Sequence, residues 1–463
     1  MRRTLAIAWL AARTAVRSRL VIALIGLLAV VVLGLPAVIK GDGTTTGKIK
    51  ITLQYSLGFS MLILGAATLW AACGSISQEI EGRQIRLVVV KPVQPWHVWV
   101  GKWLGLAGIA ALLLAVAGCA VYIYLKWHLQ PDRTPPEELK IIVTEIMCAR
   151  QKVWSRSEDV GRAAEQRLRE LLQHGTLPQG MTRRKALAAL KRQILTERSA
   201  VRPGGIKTWH FDPPDKKWPV PADAAGGAVH LRARFFSAFA LEKKPISGTW
   251  QFLDDEGELR GTLPMDAAPE KLVRLTVPGE FLPPSGPLLV RFVNGSEERS
   301  ATVIFDTDDG LELLIPAGGF AANLARALVI LWCYLALLAA LGLTAGALFS
   351  FPVATFVAAA LLLMALTGNY FAWMSTHGEG DHHHGPAEEP GFLQKIGAQA
   401  ALAVSVAVRP ALAFAPLGKL ADGQWIAWRA TAQALGILAG VYPGMLLVVG
   451  VLGLSRRELA APP

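Results

Sequence analysis

The sequence predicts an α-helical polytopic membrane protein with six transmembrane helices, an amphipathic elbow helix and re-entrant half-helices. It also predicts an inserted exoplasmic α+β domain that contains a β-sandwich. Three observations lead there. The chain has 463 residues, 52% of them hydrophobic and only 18% charged, which is too apolar for a soluble globule of ordinary composition. Its long apolar runs fall into two groups separated by a polar stretch over residues 126–320. Its formal net charge of +12 is concentrated outside that stretch, at the ends of the apolar runs.

Five runs reach the roughly 20 residues needed to cross the hydrocarbon core. They are Leu20–Ile39, Leu53–Cys73, Trp103–Leu125, Leu324–Phe349 and Val353–Met374. A sixth, Thr431–Leu454, is slightly more polar but also free of charge. Ala398–Gly418 is apolar too, yet carries Arg409-Pro410 at its middle. A central charge costs roughly 2.5–3.5 kcal/mol on insertion, and proline breaks the backbone ladder, so this run reads as a re-entrant or interfacial helix pair. With six spans, the basic clusters at Arg2, Arg3, Arg13, Arg17 and Arg19, at Arg83, Arg86, Lys91 and Lys102, and at Arg456 and Arg457 all fall on one side. Positive flanks mark the cytoplasmic side, which places both termini in the cytoplasm. The same rule explains the basic balance without nucleic-acid binding.

Residues 1–19 form the elbow. Leu5, Trp9, Ala12 and Val16 share one helical face while Arg13 and Arg17 occupy another, a pattern that lies in the membrane surface. The span-length run that follows and the lack of a small-residue cleavage site favour a signal anchor over a cleaved leader. Spans one to three and the charged segment 76–102 make up residues 20–125. Gly41-Asp-Gly-Thr-Thr-Thr-Gly-Lys48 imitates a phosphate loop, but it has one residue too few between its glycines and Ile49 where a hydroxyl should ligate Mg²⁺. No other nucleotide-binding signature is present in the sequence, so this chain is not expected to hydrolyse ATP.

Residues 126–205 read as an exoplasmic helical subdomain. Val160, Ala163, Ala164, Leu168, Leu171 and Leu172 recur at helical spacing, and Thr182 precedes a second such run through Leu187, Leu190 and Ile194. Prolines 213, 214, 219 and 221 make a stiff connector. Over 206–319 the period drops to two. Short runs at Val229–Phe235, Thr249–Leu253, Glu258–Leu263, Leu272–Val277, Leu288–Val293, Ala301–Phe305 and Leu311–Ile315 are punctuated by Asp255-Glu-Gly257, Asn294-Gly295 and Asp309-Gly310. Such a series implies a β-sandwich of jelly-roll or immunoglobulin-like kind. Cys148 is the lone cysteine of the insert, which rules out a disulfide framework there.

Residues 320–463 return to the membrane with spans four to six and an exoplasmic and re-entrant segment over 376–430. His377-Gly-Glu-Gly-Asp-His-His-His384 could attract a metal, but consecutive histidines cannot converge on one tetrahedral ion, so the loop reads as solvated and metal-free. Asn323 and Arg326, just inside span four, are candidate pathway residues at the exoplasmic mouth. Their alternative role is to cap that helix and meet headgroups.

The segment Glu79-Ile-Glu-Gly-Arg-Gln-Ile-Arg-Leu-Val-Val-Val-Lys-Pro-Val-Gln-Pro-Trp-His-Val-Trp-Val-Gly-Lys102 carries most of the functional information. Glu79 and Glu81 offer charge to a partner, and Gly82 permits a sharp exit from the span. Leu87–Val90 is an apolar knob with no lipid to bury it. Pro95 suits a helix start, and Trp96, Trp99 and Trp103 then form a stripe suited to the headgroup level, with Lys102 snorkelling beside Gly101. A basic inner loop with aromatic anchors is the plain alternative.

The order of acidic residue, glycine, basic residue, aliphatic run, Pro-Val and Gly-Lys resembles permeases of the ABC-2 type transporter family. The matching positions are Glu79 or Glu81, Gly82, Arg83, Leu87, Pro92, Val93, Gly101 and Lys102. The elbow helix, the exoplasmic half-helices before the last span and the closing Leu454-Ser-Arg-Arg-Glu-Leu459 resemble that family as well. The resemblance covers residues 1–125 and 320–463. It departs at Gln94-Pro95, where the family often has a small residue and an arginine, and ordinary members lack the insert. It implies a permease of the bacterial cytoplasmic (inner) membrane, an exporter that pairs with a second permease copy or a related chain. The residues above would dock an ABC ATP-binding subunit, with ATP and Mg on that partner and no cofactor in this chain. The insert would meet the exported molecule or an envelope partner. A membrane-anchored exoplasmic binding or sensing module is the competing class, though an anchor needs only one span. An intramembrane enzyme is disfavoured because the span interiors are almost free of Asp, Glu, His and Lys.

Overall fold

The computed structural model describes residues 2–16, 19–38, 45–82, 94–129, 136, 139, 142–143, 147–156, 160–174, 183–214, 218, 229–237, 245–270, 272–295, 302–305, 310–377 and 413–456. In chain order its helices are α1 (Arg2–Val16), α2 (Arg19–Val38), α3 (Thr45–Glu81), α4 (Pro95–His128), α5 (Val160–Gln173) and α6 (Arg183–Ser199). There follow α7 (Phe320–Leu348), α8 (Phe351–His377), α9 (Pro416–Ala421), α10 (Trp428–Ala434) and α11 (Tyr442–Arg456). The strands are β1 (Cys148–Trp154), β2 (Ala200–Val201), β3 (Ile206–Phe211), β4 (Val229–Ser237) and β5 (Ile246–Leu253). The series continues with β6 (Leu259–Ala267), β7 (Leu272–Val277), β8 (Leu288–Asn294), β9 (Val303–Phe305) and β10 (Leu311–Gly319). Two compact units result, one from Met1–Ile142 with Gly319–Pro463, the other from Val143–Gly318.

In the first unit four helical stretches are long and apolar enough to cross a membrane: Gly47–Glu81, Pro95–His128, Phe320–Leu348 and Trp428–Ser455. Helices α2 and α8 contain shorter apolar stretches, Ile22–Val32 and Phe351–Met364. Among the described residues, the long helices exceed the apolar runs that announced them. Helix α3 continues to Glu81, and α4 begins at Pro95, whose missing N–H costs nothing at a helix start.

Close backbone approach holds this unit together. A Cβ at Gly342 would lie 2.7 Å from the Leu69 carbonyl oxygen, and one at Gly346 would collide with the Cys73 carbonyl oxygen, so α7 and α3 meet at a small-xxx-small ridge. Helix α4 repeats the device. A Cβ at Gly101 would sit 2.8 Å from Ile7, and one at Gly105 would sit 2.7 Å from the Ala8 carbonyl oxygen, which docks the elbow helix α1 directly on α4. Two indoles cross-link α4 and α7 reciprocally: Trp103 Nε1 donates to the Ala336 carbonyl at 2.8 Å and Trp332 Nε1 to the Ala107 carbonyl at 2.9 Å. Helices α10 and α11 are joined by a π-helical segment, Leu435–Val441. Pro443 follows it; the wider turn relieves the clash that proline makes with the carbonyl four residues back.

In the second unit a larger antiparallel sheet has the order β1-β10-β4-β9-β2, with β7 also on β4, and a four-stranded sheet has the order β3-β8-β5-β6. Val229, Leu231, Ala233 and Phe235 alternate inward from β4 and share one core with Trp250, Phe252, Val290 and Phe292 of the smaller sheet. Rings meet across that core: Trp250 lies 5.8 Å and Phe292 5.3 Å from Phe305 of β9. The turn between β5 and β6 places Gly257 at φ 82°, a left-handed conformation that glycine adopts without penalty. Helices α5 and α6 pack on one another through Ala164, Leu168, Leu190 and Ile194 of the periodic residues, with Ala186 buried among them.

Each alternating run becomes a strand, β4 to β10. Strands β1, β2 and β3 were not expected. Strand β1 lies inside the stretch read as helical, and β3 lies between Gly205 and the prolines of the expected connector. Clean alternation is missing from β1 because adjacent Ala149 and Arg150 are both buried there. Asn294, expected in a turn, instead ends β8 buried, its Nδ2 donating to the Val201 carbonyl at 3.2 Å.

Candidate functional site

The end of α3, the start of α4 and the start of α8 converge on one polar cluster. Lys102 is the second-turn cation of α4, and its side chain is only 8% exposed. Rather than reaching outward to headgroups, it points back to α3. Its Nζ meets Glu79 at 2.6 Å and donates to the Ser75 carbonyl and to Ser75 Oγ at 3.2 Å. The three N–H groups of the ammonium therefore all have acceptors on α3. Ser75 and Glu79 are one helical turn apart, so a single face of α3 supplies the whole cradle.

Glu81 turns the other way. Its Oε1 accepts the backbone N–H of Phe351 at 3.0 Å, at the first residue of α8. A carboxylate there satisfies an otherwise orphaned donor and faces the positive end of the helix dipole. Phe351 also meets Trp70 of α3 edge-on, with centroids 5.7 Å apart. Both acids assigned to a partner are thus engaged within the chain, and between them they tie α3 to α4 and to α8.

Gly82 stands at the turn that ends α3, its N–H donating to the Gln78 carbonyl at 2.8 Å. Gly101 is the seat of Ile7 from the elbow helix. Arg83, Leu87, Pro92 and Val93 lie outside the described residues. So do most of the histidine-rich loop and Arg409-Pro410; of the run Ala398–Gly418 the structure describes only the end that enters α9. The tryptophan stripe divides. Trp96 is 42% exposed, whereas Trp99 is 1% exposed and stacks on Trp103 at 6.4 Å. Gly450 of α11 leaves the space that the Trp99 indole fills.

Asn323 and Arg326 are buried in a clasp. The Asn323 amide is used at both ends: Nδ2 donates to the Gln424 carbonyl and Oδ1 accepts from the Ile426 N–H, each at 2.8 Å. Arg326 places its guanidinium 5.6 Å from the Trp425 ring and 5.4 Å from the Trp428 ring, within cation–π range, and its Nε donates to the Ala322 carbonyl at 3.1 Å. Tyr334 adds a bond to the Phe414 carbonyl at 2.6 Å. Together they bind the stretch before α10 along α7.

Sequence reasoning missed Ser75 and Phe351 as members of the cluster. Ser75 had a signal, lying four residues before Glu79; Phe351 had one in Ser350-Phe-Pro352, a helix start. Among the described residues no group of three His, Cys, Asp or Glu side chains is placed to hold a metal. A scan of family models, a search of curated proteins and a search of solved structures each find no match.

Proposed function

We propose that this chain is the permease subunit of an ABC-2 type exporter in a bacterial inner membrane. In this reading it has six spans and cytoplasmic termini and works with a second permease copy or a related chain. The inserted unit, read as a β-sandwich, faces outward toward cargo or an envelope partner. A separate ABC subunit binds ATP and Mg and grips the segment between α3 and α4 through Arg83, Leu87, Pro92 and Val93.

The observation that carries the reading is the Lys102–Glu79–Ser75 junction. It joins the two helices on either side of residues 83–93, so a push on that segment is delivered to α3 and α4 together. Helix α1 would follow α4 through Gly101 and Gly105, and α7 would follow α3 through Gly342 and Gly346. Switching by such rigid bodies needs stiff joints at the lever and freedom elsewhere. Glu79 and Glu81 brace the lever from inside and leave the outward contact to the intervening segment.

The test replaces residues 83–93 with a Gly/Ser linker and leaves both acids in place. From native membranes, the unaltered protein should bring down a subunit that azido-ATP photolabels, and the linker variant should lose it while keeping its helical content. Retention of the labelled subunit by the linker variant, or its absence from both, refutes the assignment.

A further inference from the structure

Between α1, α3 and α4 lies an open-sided cavity of about 630 Å³, within the size range of small-molecule sites. Its shape follows from the helices that line it. On α3 the lining runs from Glu79 to Leu64, and on α4 from Val98 to Leu113, each about 22 Å at 1.5 Å per residue. Leu64 and Leu113 share one apolar cluster, so the two helices close the same end together. Ser75, Gln78, Glu79 and Lys102 gather the polar groups at the other end, beside Val98 and Phe351. An elongated apolar slot with one polar mouth fits a molecule built the same way.

The polar mouth also selects a charge. Lys102 has spent its donors on Ser75 and Glu79, so it has none left for an anion. The Glu79 side chain is still 37% exposed, and a carboxylate can accept several more hydrogen bonds. What remains on offer is an acceptor for a cation, with the Gln78 amide beside it.

We propose that this cavity binds one acyl chain of an amino-phospholipid, its ammonium group at Glu79 and its chain running inward to Leu64 and Leu113. Lipid at this position wedges the elbow helix against the junction that braces α3 and α4. The proposal rests on the membrane-spanning character of these helices and does not need the ATPase partner.

The test uses the full chain in nanodiscs containing phosphatidylethanolamine with a diazirine near the end of its acyl chain, and maps labelled residues by mass spectrometry. Labelling is expected at Leu64 and Leu113. It should fall at least about fivefold, close to 1 kcal/mol of binding, in Ala110→Phe, which fills the slot, and should favour phosphatidylethanolamine over phosphatidylglycerol. Leu112, 60% exposed and outside the lining of the cavity, serves as the control. Labelling at Leu112 alone overturns the proposal while leaving the membrane assignment intact. Equal labelling by both lipids, or cavity labelling unchanged by filling, overturns it as well. Should Ala110→Phe fail to fold, Ala71→Phe fills the slot from α3, and the map on the unaltered protein decides independently.

Discussion

The helical unit is seamed by close backbone approach, at Gly342 and Gly346 against Leu69 and Cys73; the inserted unit is centred on a cluster of rings, at Trp250, Phe292 and Phe305. The difference follows from the solvent each unit answers to. Water drives large apolar side chains together in rough proportion to the area they hide, so the inserted unit gains most from aromatic bulk. Lipid tails are as apolar as leucine, so burying bulk between spans gains little. There the helices gain from near approach, van der Waals contact and hydrogen bonds to exposed carbonyls. The reciprocal bonds of Trp103 and Trp332 are of the last kind. One chain therefore needs two opposite readings of what a core residue is.

The largest effect expected from breaking this contrast is in the inserted unit. Trp250→Ala removes a fully buried indole and should destabilise that unit by about 3–5 kcal/mol, read as accelerated amide exchange along β5 and β8 with α3 and α7 unchanged. Next comes Gly346→Ala, a single added methyl. Because a backbone carbonyl stands in its way, the helices must separate, and a loss of about 1–3 kcal/mol should appear as faster exchange in α3 and α7 alone. An equally small effect at Gly346 and at an exposed glycine such as Gly436 would contradict the close-approach account.

The last effect is set by pH. Burial, and then the nearby Arg150 charge, push the His230 imidazole down to about 4 from its ordinary 6.5. The folded unit thus binds the neutral ring, while the unfolded chain takes up a proton as pH drops below 6.5. Stability conferred by neutral His230 is complete above that value and is lost as pH falls toward 4. Protection of β4 and β7, where Thr276 Oγ1 lies 3.3 Å from His230 Nδ1, should decline over this window. The decline should vanish in His230→Asn; an unchanged acid profile in that variant would remove the histidine from the account.

Much of the fold was legible because period and composition are local. The alternating runs that became β4 to β10 and the apolar runs inside α3, α4, α7 and the last long helix needed no knowledge of neighbours. Strands β1 and β3 were not legible. A strand that buries Arg150 or sits beside prolines has no clean period, and only its partners β10 and β8 make it a strand.

The acids at positions 79 and 81 mark the same limit. Their place at the end of a span, beside a glycine and a basic run, is written in the residues, and so is the presence of a cation at 102. What they face is not written. Whether a carboxylate meets a partner, a lysine 23 positions away or the first N–H of a helix 270 positions away depends on contacts that folding creates between distant segments. The sequence determined by itself which stretches are apolar enough for lipid, where the period changes and where charge collects, since these depend on side-chain chemistry alone. Only the tertiary structure decided that Lys102 turns inward, that Asn323 and Arg326 clasp the stretch before α10, and that an apolar slot opens beside the elbow helix, because each depends on where separate helices come to lie.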